Sequence, residues 1–478
     1  MSKENETPTK PNIIYVLADD MGYGDLGCYG ADKIHTPQLD RLASEGMLFR
    51  DAHSNSAVCT PTRYGILTGR YCWRGSLKKG VLQGFGSPIV EEGRVTVPSF
   101  LRDHGYSTAC IGKWHLGLGW AKNGEEVDYS QPISHGGPTH VGFDYYYGIS
   151  ASLDMPPYCF LENDRPVEPP SVPKEPLDFS QSARGGLMVP GWRDDAVNEM
   201  HTRKALAYIE SHAAEQPGKP FFMYFALTGP HTPWTPAEAF RGRSGIGPRG
   251  DLILEMDATV GRIMELLDRL RLRDNTLLVF TSDNGPHPQR EEMTLHGHKP
   301  AGEYRGQKAD IWEGGHRVPF LASWPARVPQ GVESAELLCL TDLLATCAGI
   351  VGAPLPEACG EDSLDLLPVL TGQPVERPVR EAVIHHSLSG MFAIRTREWK
   401  LIEGEGGGGF QPNPNRPIGI PAQGLYEPDG APGQLYALDR DASEQANLYM
   451  QRPELVQELS ARLEAIKERG ERYLVSGA

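Results

Sequence analysis

Short apolar runs recur along the chain at wide intervals. Asn12–Ala18 reads NIIYVLA, Ser107–Gly112 STACIG, Pro220–Leu227 PFFMYFAL, Thr276–Thr281 TLLVFT and Pro319–Trp324 PFLASW. Each is short, rich in β-branched and aromatic residues, and continuous rather than alternating. That is the pattern of a strand covered on both faces. Between the runs the apolar spacing changes to three and four. Thr36-Pro37 opens a helix carrying Leu39, Leu42 and Ala43, and Gly46 closes it. Asp251–Leu270 repeats Leu254, Ala258, Gly261, Leu266 and Leu270 at helical spacing. Strands alternating with helices predict an α/β fold, a large and mostly parallel sheet sandwiched by helices.

Two stretches depart from this pattern. Asp144–Arg193 holds Tyr145, Tyr146 and Tyr147, many prolines and no clear period, and is expected to be an ordered insertion or rim. Beyond Leu370, Glu381–His386, Met391–Arg395 and Gln434–Leu438 look like short strands, and the Gly-rich Gly404–Gly409 like a flexible turn or disordered loop. Pro453–Tyr473 is an amphipathic helix with Leu455, Leu459, Leu463 and Ile466 on one face. The expected division is a catalytic α/β domain over 1–370 and a smaller C-terminal α+β subdomain over 371–478, an antiparallel sheet plus a helix.

Composition narrows the function classes. The 478 residues carry a net charge of −16, which argues against a general nucleic-acid binder but leaves room for a small basic pocket. No run approaches the roughly 18 apolar residues of a membrane span, so no membrane partner is expected. The polar start, Met1 to Lys10, predicts a cytoplasmic chain as written, or a periplasmic or secreted one if a signal peptide has been removed. None of the eight cysteines forms a Cys-x-x-Cys pair, which argues against a zinc ribbon.

Polar clusters stand just past the C-terminal ends of four predicted strands: Asp19-Asp20, then Lys113 and His115, then His231, then Asp283-Asn284. Open parallel sheets bind ligands at that edge, so residues remote in sequence are expected to converge there. Asp19, Asp20, Asp283 and Asn284 form a hard oxygen set suited to calcium or magnesium. Arg63, Lys113, His115, His231 and Lys308 beside such a cation describe a pocket for a tetrahedral oxyanion. Pro61 suits the first turn of a helix through Leu67, which sets Cys59 at a helix N-terminus, where anions are favoured and thiols activated.

Ala57-Val58-Cys59-Thr60-Pro61-Thr62-Arg63, followed by Ile66-Leu67-Thr68-Gly69, resembles the signature of the type I sulfatases. Gly105-Tyr106-Ser107-Thr108 through Ile111-Gly112-Lys113-Trp114-His115 resembles their second signature. Pro11-Asn12-Ile13-Ile14 through Asp20, Gly229-Pro230-His231, Ser282-Asp283-Asn284-Gly285 and Glu313-Gly314-Gly315 are similar to further family segments, in the family's order. The resemblance runs over roughly residues 11 to 475. The sheet and helix pattern agrees with the fold it implies, that of the alkaline phosphatase superfamily.

The resemblance also implies a mechanism. A separate maturation enzyme oxidises the motif cysteine, here Cys59, to formylglycine, whose hydrate attacks sulfur and later expels sulfate. Asp19, Asp20, Asp283 and Asn284 would hold Ca²⁺, Arg63 would orient the diol, and Lys113 and Lys308 would bind sulfate oxygens. Lys299 competes with Lys308, which the Gly306-Gln307-Lys308 approach favours. His231 would be the general acid and His115 the base. Ser152, with Ser150 second, is expected to touch the diol. Trp73, Arg74, the Tyr145–Tyr147 run, Asp154, Trp192 and His298 are rim candidates for contacting substrate. The sequences Trp73–Val81 and Leu153–Tyr158 look like bacterial sulfatases grouped with N-acetylgalactosamine-6-sulfatase and arylsulfatase A. The expected substrate is a small carbohydrate sulfate ester of the galactose 6-sulfate type. The alternatives are a phosphonate monoesterase or phosphodiesterase of the same fold, and a non-catalytic anion-binding homologue.

Overall fold

The structure is a computed structural model that describes residues 10–177, 183–410 and 426–469. Its main sheet has ten strands: β1 Asn12–Ala18, β2 Met47–Phe49, β3 Ser107–Lys113, β4 Tyr145–Ile149, β5 Leu161–Glu162, β6 Arg165–Pro166, β7 Phe221–Ala226, β8 Thr276–Ser282, β9 Phe320–Ser323 and β10 Val332–Ser334. Their spatial order is β10-β2-β9-β8-β1-β7-β3-β4-β5-β6. The five central strands β8, β1, β7, β3 and β4 are all parallel. β9 runs antiparallel to β8, and β5 antiparallel to β4.

Successive residues of each central strand point to opposite faces, and both faces are covered. Ile13, Tyr15 and Leu17 pack with Cys110, Phe222, Tyr224 and Val279 against helices α2 Cys59–Thr68 and α5 Leu343–Val351. Ile14 and Val16 pack with Ile111, Met223, Phe225 and Phe280 on the other side. There they meet α1 Pro37–Ser44, α3 Val197–Glu215 and α4 Pro248–Arg269. This double cover is why the strands read as unbroken apolar runs.

Two expectations need correction. Tyr145, Tyr146 and Tyr147 form the start of β4 inside the sheet rather than a rim. Tyr146 is fully buried, and the Tyr145 hydroxyl donates to Glu162 at the far end of the strand. The Gly404–Gly409 segment is a packed strap: Ile311 N donates to Gly407 O at 2.8 Å and Ser389 N to Gly408 O at 3.0 Å. Its glycines are needed because a Cβ at Gly409 would overlap the Asp310 carboxylate.

The C-terminal sheet is antiparallel, β11 Val383–His386, β12 Phe392–Arg395, β13 Trp399–Ile402 and β14 Gln434–Ala437 in that order. The strand Trp399–Ile402 had no forecast. Helix α6 Pro453–Glu468 covers this sheet through Val456, Leu459 and Leu463. Residues 470–473 of the expected helix lie outside the described residues. Buried ion pairs tie the sheet to the body: Arg395 with Asp51 at 2.7 Å, and Lys400 with Glu313 at 3.2 Å. All eight cysteines are free thiols, and no helix among the described residues is long and apolar enough to cross a membrane.

Gly112, at the end of β3, has φ 106°, and a Cβ there would fall onto the Ala226 carbonyl oxygen of β7. Gly112→Ala is therefore expected to cost about 1–3 kcal/mol of stability from the backbone alone. A urea midpoint equal to that of the parent would show that the strand ends relax without cost.

Candidate functional site

The register of β1 and β8, with Ala18 opposite Ser282, brings the residues that follow both strands side by side. Asp20 N donates to Asp283 Oδ1 at 3.2 Å, and Asp283 N to Ala18 O at 3.1 Å. Asp20 adopts φ 66°, a left-handed turn that lets both carboxylates of the Asp19-Asp20 pair serve one pocket. Asn284 Nδ2 donates to Asp20 Oδ1 at 2.7 Å, which leaves its Oδ1 facing away from that bond. All four side chains are fully buried.

Three cations meet the three carboxylates, each from a different segment. Arg63, one turn into α2, donates to Asp283 Oδ2 at 2.7 and 3.0 Å. Lys113 at the end of β3 lies 2.6 Å from Asp19 Oδ2, and Lys308 lies 2.8 Å from Asp20 Oδ2. Lys299 is exposed and pairs with Glu303 instead. The Lys308 loop is held by Lys308 N donating to Pro286 O and Ala309 N to Ala57 O, beside the Cys59 helix. Cys59 is the first residue of α2, and its Sγ lies within 4.8 Å of oxygens of Asp19 and Asp283.

The electrostatics of the pocket follow from burial. Burial raises Asp19, but Lys113, His231 and Arg63 outweigh it and hold that carboxyl well below the usual range. Burial, and then the neighbouring Asp19 charge, push Asp283 up to about 7. The three carboxylates and three cations balance in number, and burial with the neighbouring acids acts unequally on the three. Burial also pushes the Cys59 thiol up, while Lys113 and Lys308 pull it down. Asp19 Oδ1 and Asn284 Oδ1 are buried and make no hydrogen bond among the described residues.

The two histidines present opposite edges. His115 Nε2 lies 2.8 Å from the Leu82 carbonyl, which can only accept, so Nε2 carries the proton and Nδ1 is a lone pair. That Nδ1 is buried and unpartnered, and burial, then Lys113, hold the ring neutral. His231 Nδ1 donates to Thr232 O at 2.7 Å, and its Nε2 stands 3.7 Å from Asp20 Oδ2. Ser150 O accepts the His115 backbone N–H at 3.0 Å, and the hydroxyls of Ser150 and Ser152 are both buried without a partner among the described residues.

Several substrate-side candidates lie elsewhere. Trp73 stacks on Tyr71 and packs against Phe392 of β12, and Arg74 forks onto Asp362 at 2.8 and 2.9 Å. His298 is buried 2.8 Å from Asp25, whose other partner Arg249 donates to Asp20 O at 3.3 Å, so it braces the pocket from behind. Trp192 donates to Asp194 and packs on Phe160. Asp154 stays beyond the end of β4, with Oδ1 unpartnered.

His287 had no forecast. It follows Asn284 by three residues, and both ring nitrogens are buried without a partner. Burial, then the Lys308 charge, push it down to about 3, and Asp20 and His231 also act on it. Trp234 and Phe410 flank it with ring centroids at 6.0 and 5.7 Å. A histidine in the same strand-end loop as Asp283 was a usable signal; Phe410, from the other end of the chain, was not.

His53, His316 and His385 also approach one another, but as core. The rings of His316 and His385 stack at 3.6 Å and 12°, which denies one ion an in-plane approach to both, and Lys400 Nζ is 2.8 Å from His316 Nε2. Burial, then Arg395, push His53 down to about 4.

Known proteins are similar to this chain in sequence and fold. An N-acetylgalactosamine-6-O-sulfatase of Bacteroides thetaiotaomicron is 38% identical, over 98% of this chain and 96% of that protein. Arylsulfatase A of Homo sapiens is 35% identical, over 92% of this chain and 83% of its own length. A solved structure from work on the metabolism of multiple glycosaminoglycans by Bacteroides thetaiotaomicron superposes with TM-score 0.84 at 36% identity, covering 96% of this chain and 100% of that one. The phosphonate monoester hydrolase of Agrobacterium radiobacter shares the fold, with TM-score 0.62 at 17% identity over 96% of each chain. The family described as sulfatase matches residues 11–353, from the first strand to just past α5, and with these relatives it establishes that the chain belongs to the sulfatases and hydrolyses sulfuric esters.

Proposed function

We propose that this sulfatase acts on a carbohydrate sulfate ester of the galactose or N-acetylgalactosamine 6-sulfate type, and on aryl sulfates. Cys59, converted to formylglycine by a separate maturation enzyme, works beside bound calcium, with magnesium as the alternative. The observation that carries this reading is the meeting of Cys59 with Asp19 and Asp283 within 4.8 Å, in a buried pocket that also holds Lys113, Lys308 and two histidines that present opposite ring nitrogens. The relative at 38% identity is an N-acetylgalactosamine-6-O-sulfatase, which supports the sugar. The wall of Trp234, His287 and Phe410 supports it too, since aromatic edges and free ring nitrogens suit a pyranose.

The donor set fits a hard dication. Asp19, Asp20, Asp283 and Asn284 offer oxygens alone, and two of those oxygens are buried and unsatisfied, a costly state that a cation relieves. When bound, such an ion supplies positive charge that stabilises a sulfate oxygen in the transition state. The hydrated aldehyde that replaces the Cys59 thiol supplies one hydroxyl to attack sulfur and a second whose deprotonation lets sulfate leave.

The remaining roles belong to the chain. Arg63 holds the nucleophile's orientation through its rigid pairing to Asp283. Lys113 and Lys308, relieved of the carboxylates they now neutralise, grip the sulfate oxygens. His231, acting as the imidazolium with Nδ1–H held on Thr232 O, gives its Nε2 proton to the leaving alcohol oxygen and is left neutral. His115 takes the proton of the second hydroxyl on Nδ1. Ser152, with Ser150 as the alternative, donates to the diol.

Sulfate release from 6-sulfated monosaccharides and an aryl sulfate, beside a phosphodiester control, tests the reaction on protein whose aldehyde content is known from peptide mass. Cys59→Ala is expected to fold and to release no sulfate. Phosphodiester turnover without sulfate release would move the site to phosphorus chemistry. Asp283→Ala is expected to lose bound calcium and activity together; metal content equal to the parent's would overturn the ligand assignment. His231→Ala should lower turnover of sugar sulfates by about 100-fold or more, and of aryl sulfates, whose leaving groups need less protonation, by much less. Equal losses on both substrates would remove His231 from the acid role.

A further inference from the structure

A groove of about 580 Å³ opens between the Trp73–Lys79 segment and the C-terminal sheet. In a chain of net charge −16 its lining is a local exception, with Lys78, Lys79, Arg74 and Lys467 on its walls and Glu468 as the one acid among its lining residues. Arg74 and Lys467 are occupied: Arg74 by Asp362, Lys467 by Glu464 at 2.8 Å. Lys78 and Lys79 are exposed, and neither is paired with a carboxylate among the described residues; Lys78 Nζ donates to the Trp73 carbonyl at 2.6 Å. Two exposed lysines with no carboxylate partner among the described residues therefore line a concave surface, one with its head held on a backbone carbonyl.

Both walls of the groove run back to the catalytic pocket. Leu82 N donates to Thr60 Oγ1 at 3.2 Å, and Leu82 O holds His115 Nε2 at 2.8 Å. Lys79 stands three residues before Leu82, at most roughly 10 Å along an extended chain. On the opposite wall, Gly80 N donates to Leu388 O at 2.9 Å, and Leu388 N donates to Ala309 O at 3.0 Å, next to Lys308. The groove and the pocket thus share two continuous strips of backbone.

We propose that this groove binds the anionic groups of a sulfated oligosaccharide beyond the sugar being desulfated, with Lys78 and Lys79 as the contacts. The inference rests on the carbohydrate reading and adds that the substrate is a polyanionic chain rather than a lone sugar. Exposed point charges recognise sulfate or carboxylate without fixing one geometry, which suits variable neighbouring units.

The test compares the parent with the double variant Lys78→Ala/Lys79→Ala on a 6-sulfated monosaccharide and on a sulfated hexasaccharide ending in the same sugar. For the hexasaccharide, KM should rise about tenfold at low salt, the size expected of two exposed ion contacts. The kcat should hold, and the difference should shrink as salt screens the contacts. Constants for the monosaccharide should not change. An unchanged hexasaccharide KM, or an equal loss on both substrates, would overturn the proposal. If the parent turns over neither saccharide, the carbohydrate reading fails separately. Calorimetric binding of the hexasaccharide to both forms then decides the groove: equal affinity, or none for either form, overturns it.

Discussion

Three carboxylates share one buried pocket because two parallel strands end in register. With Ala18 opposite Ser282, the residues that follow cannot avoid one another, and all of them are buried. Like charges at this range in a low dielectric repel strongly, so the fold needs positive charge there. It draws that charge from three unrelated segments: Arg63 from α2, Lys113 from the end of β3 and Lys308 from the loop after Gly306. Each ion pair is thereby a tie between elements. Removing one partner strands a buried charge, which costs far more than a surface pair is worth. The architecture of the site is the neutralisation of its own acids.

The same constraint explains how much could be read from the sequence. Strands covered on both faces leave continuous apolar runs, so β1, β3, β7, β8 and β9 were legible to within a residue or two. The polar residues just past them were legible for the same reason, since a charged pair directly after an apolar run has to be answered by something. Tyr145–Ile149 was not legible, because Tyr-Tyr-Tyr-Gly-Ile beside a proline-rich stretch carries no period that separates strand from loop. Gly404–Gly409 was misread because glycine reports conformational freedom, while here it reports close approach to Asp310. His298 drew attention as a substrate contact and instead braces the pocket through Asp25, since a histidine has the same letter in either role.

Cys59 sets two local rules against each other. A helix N-terminus, with Lys113 and Lys308 close by, favours the thiolate. Complete burial and the neighbouring Asp19 and Asp283 disfavour it, and burial prevails. A neutral hydroxyl nucleophile, deprotonated only as it reacts, avoids the cost of a resting anion among carboxylates.

Net charge says little about which ligand such a protein admits. At physiological salt, exposed charges farther apart than about 8 Å are largely screened, so the −16 of the whole chain is felt weakly at any one spot. An incoming anion instead samples the nearest unpaired charge. Lys113 and Lys308 are buried and committed to carboxylates, so they act on an anion only once it has entered the pocket. Lys78 and Lys79 are exposed and have no carboxylate partner among the described residues, and the backbone beside them leads to His115 through Leu82 and to Lys308 through Leu388 and Ala309. Cations at the surface and cations in the interior thus differ in what already occupies them, and on the proposed reading an acidic protein can receive an acidic substrate by using the first for attraction and the second for chemistry.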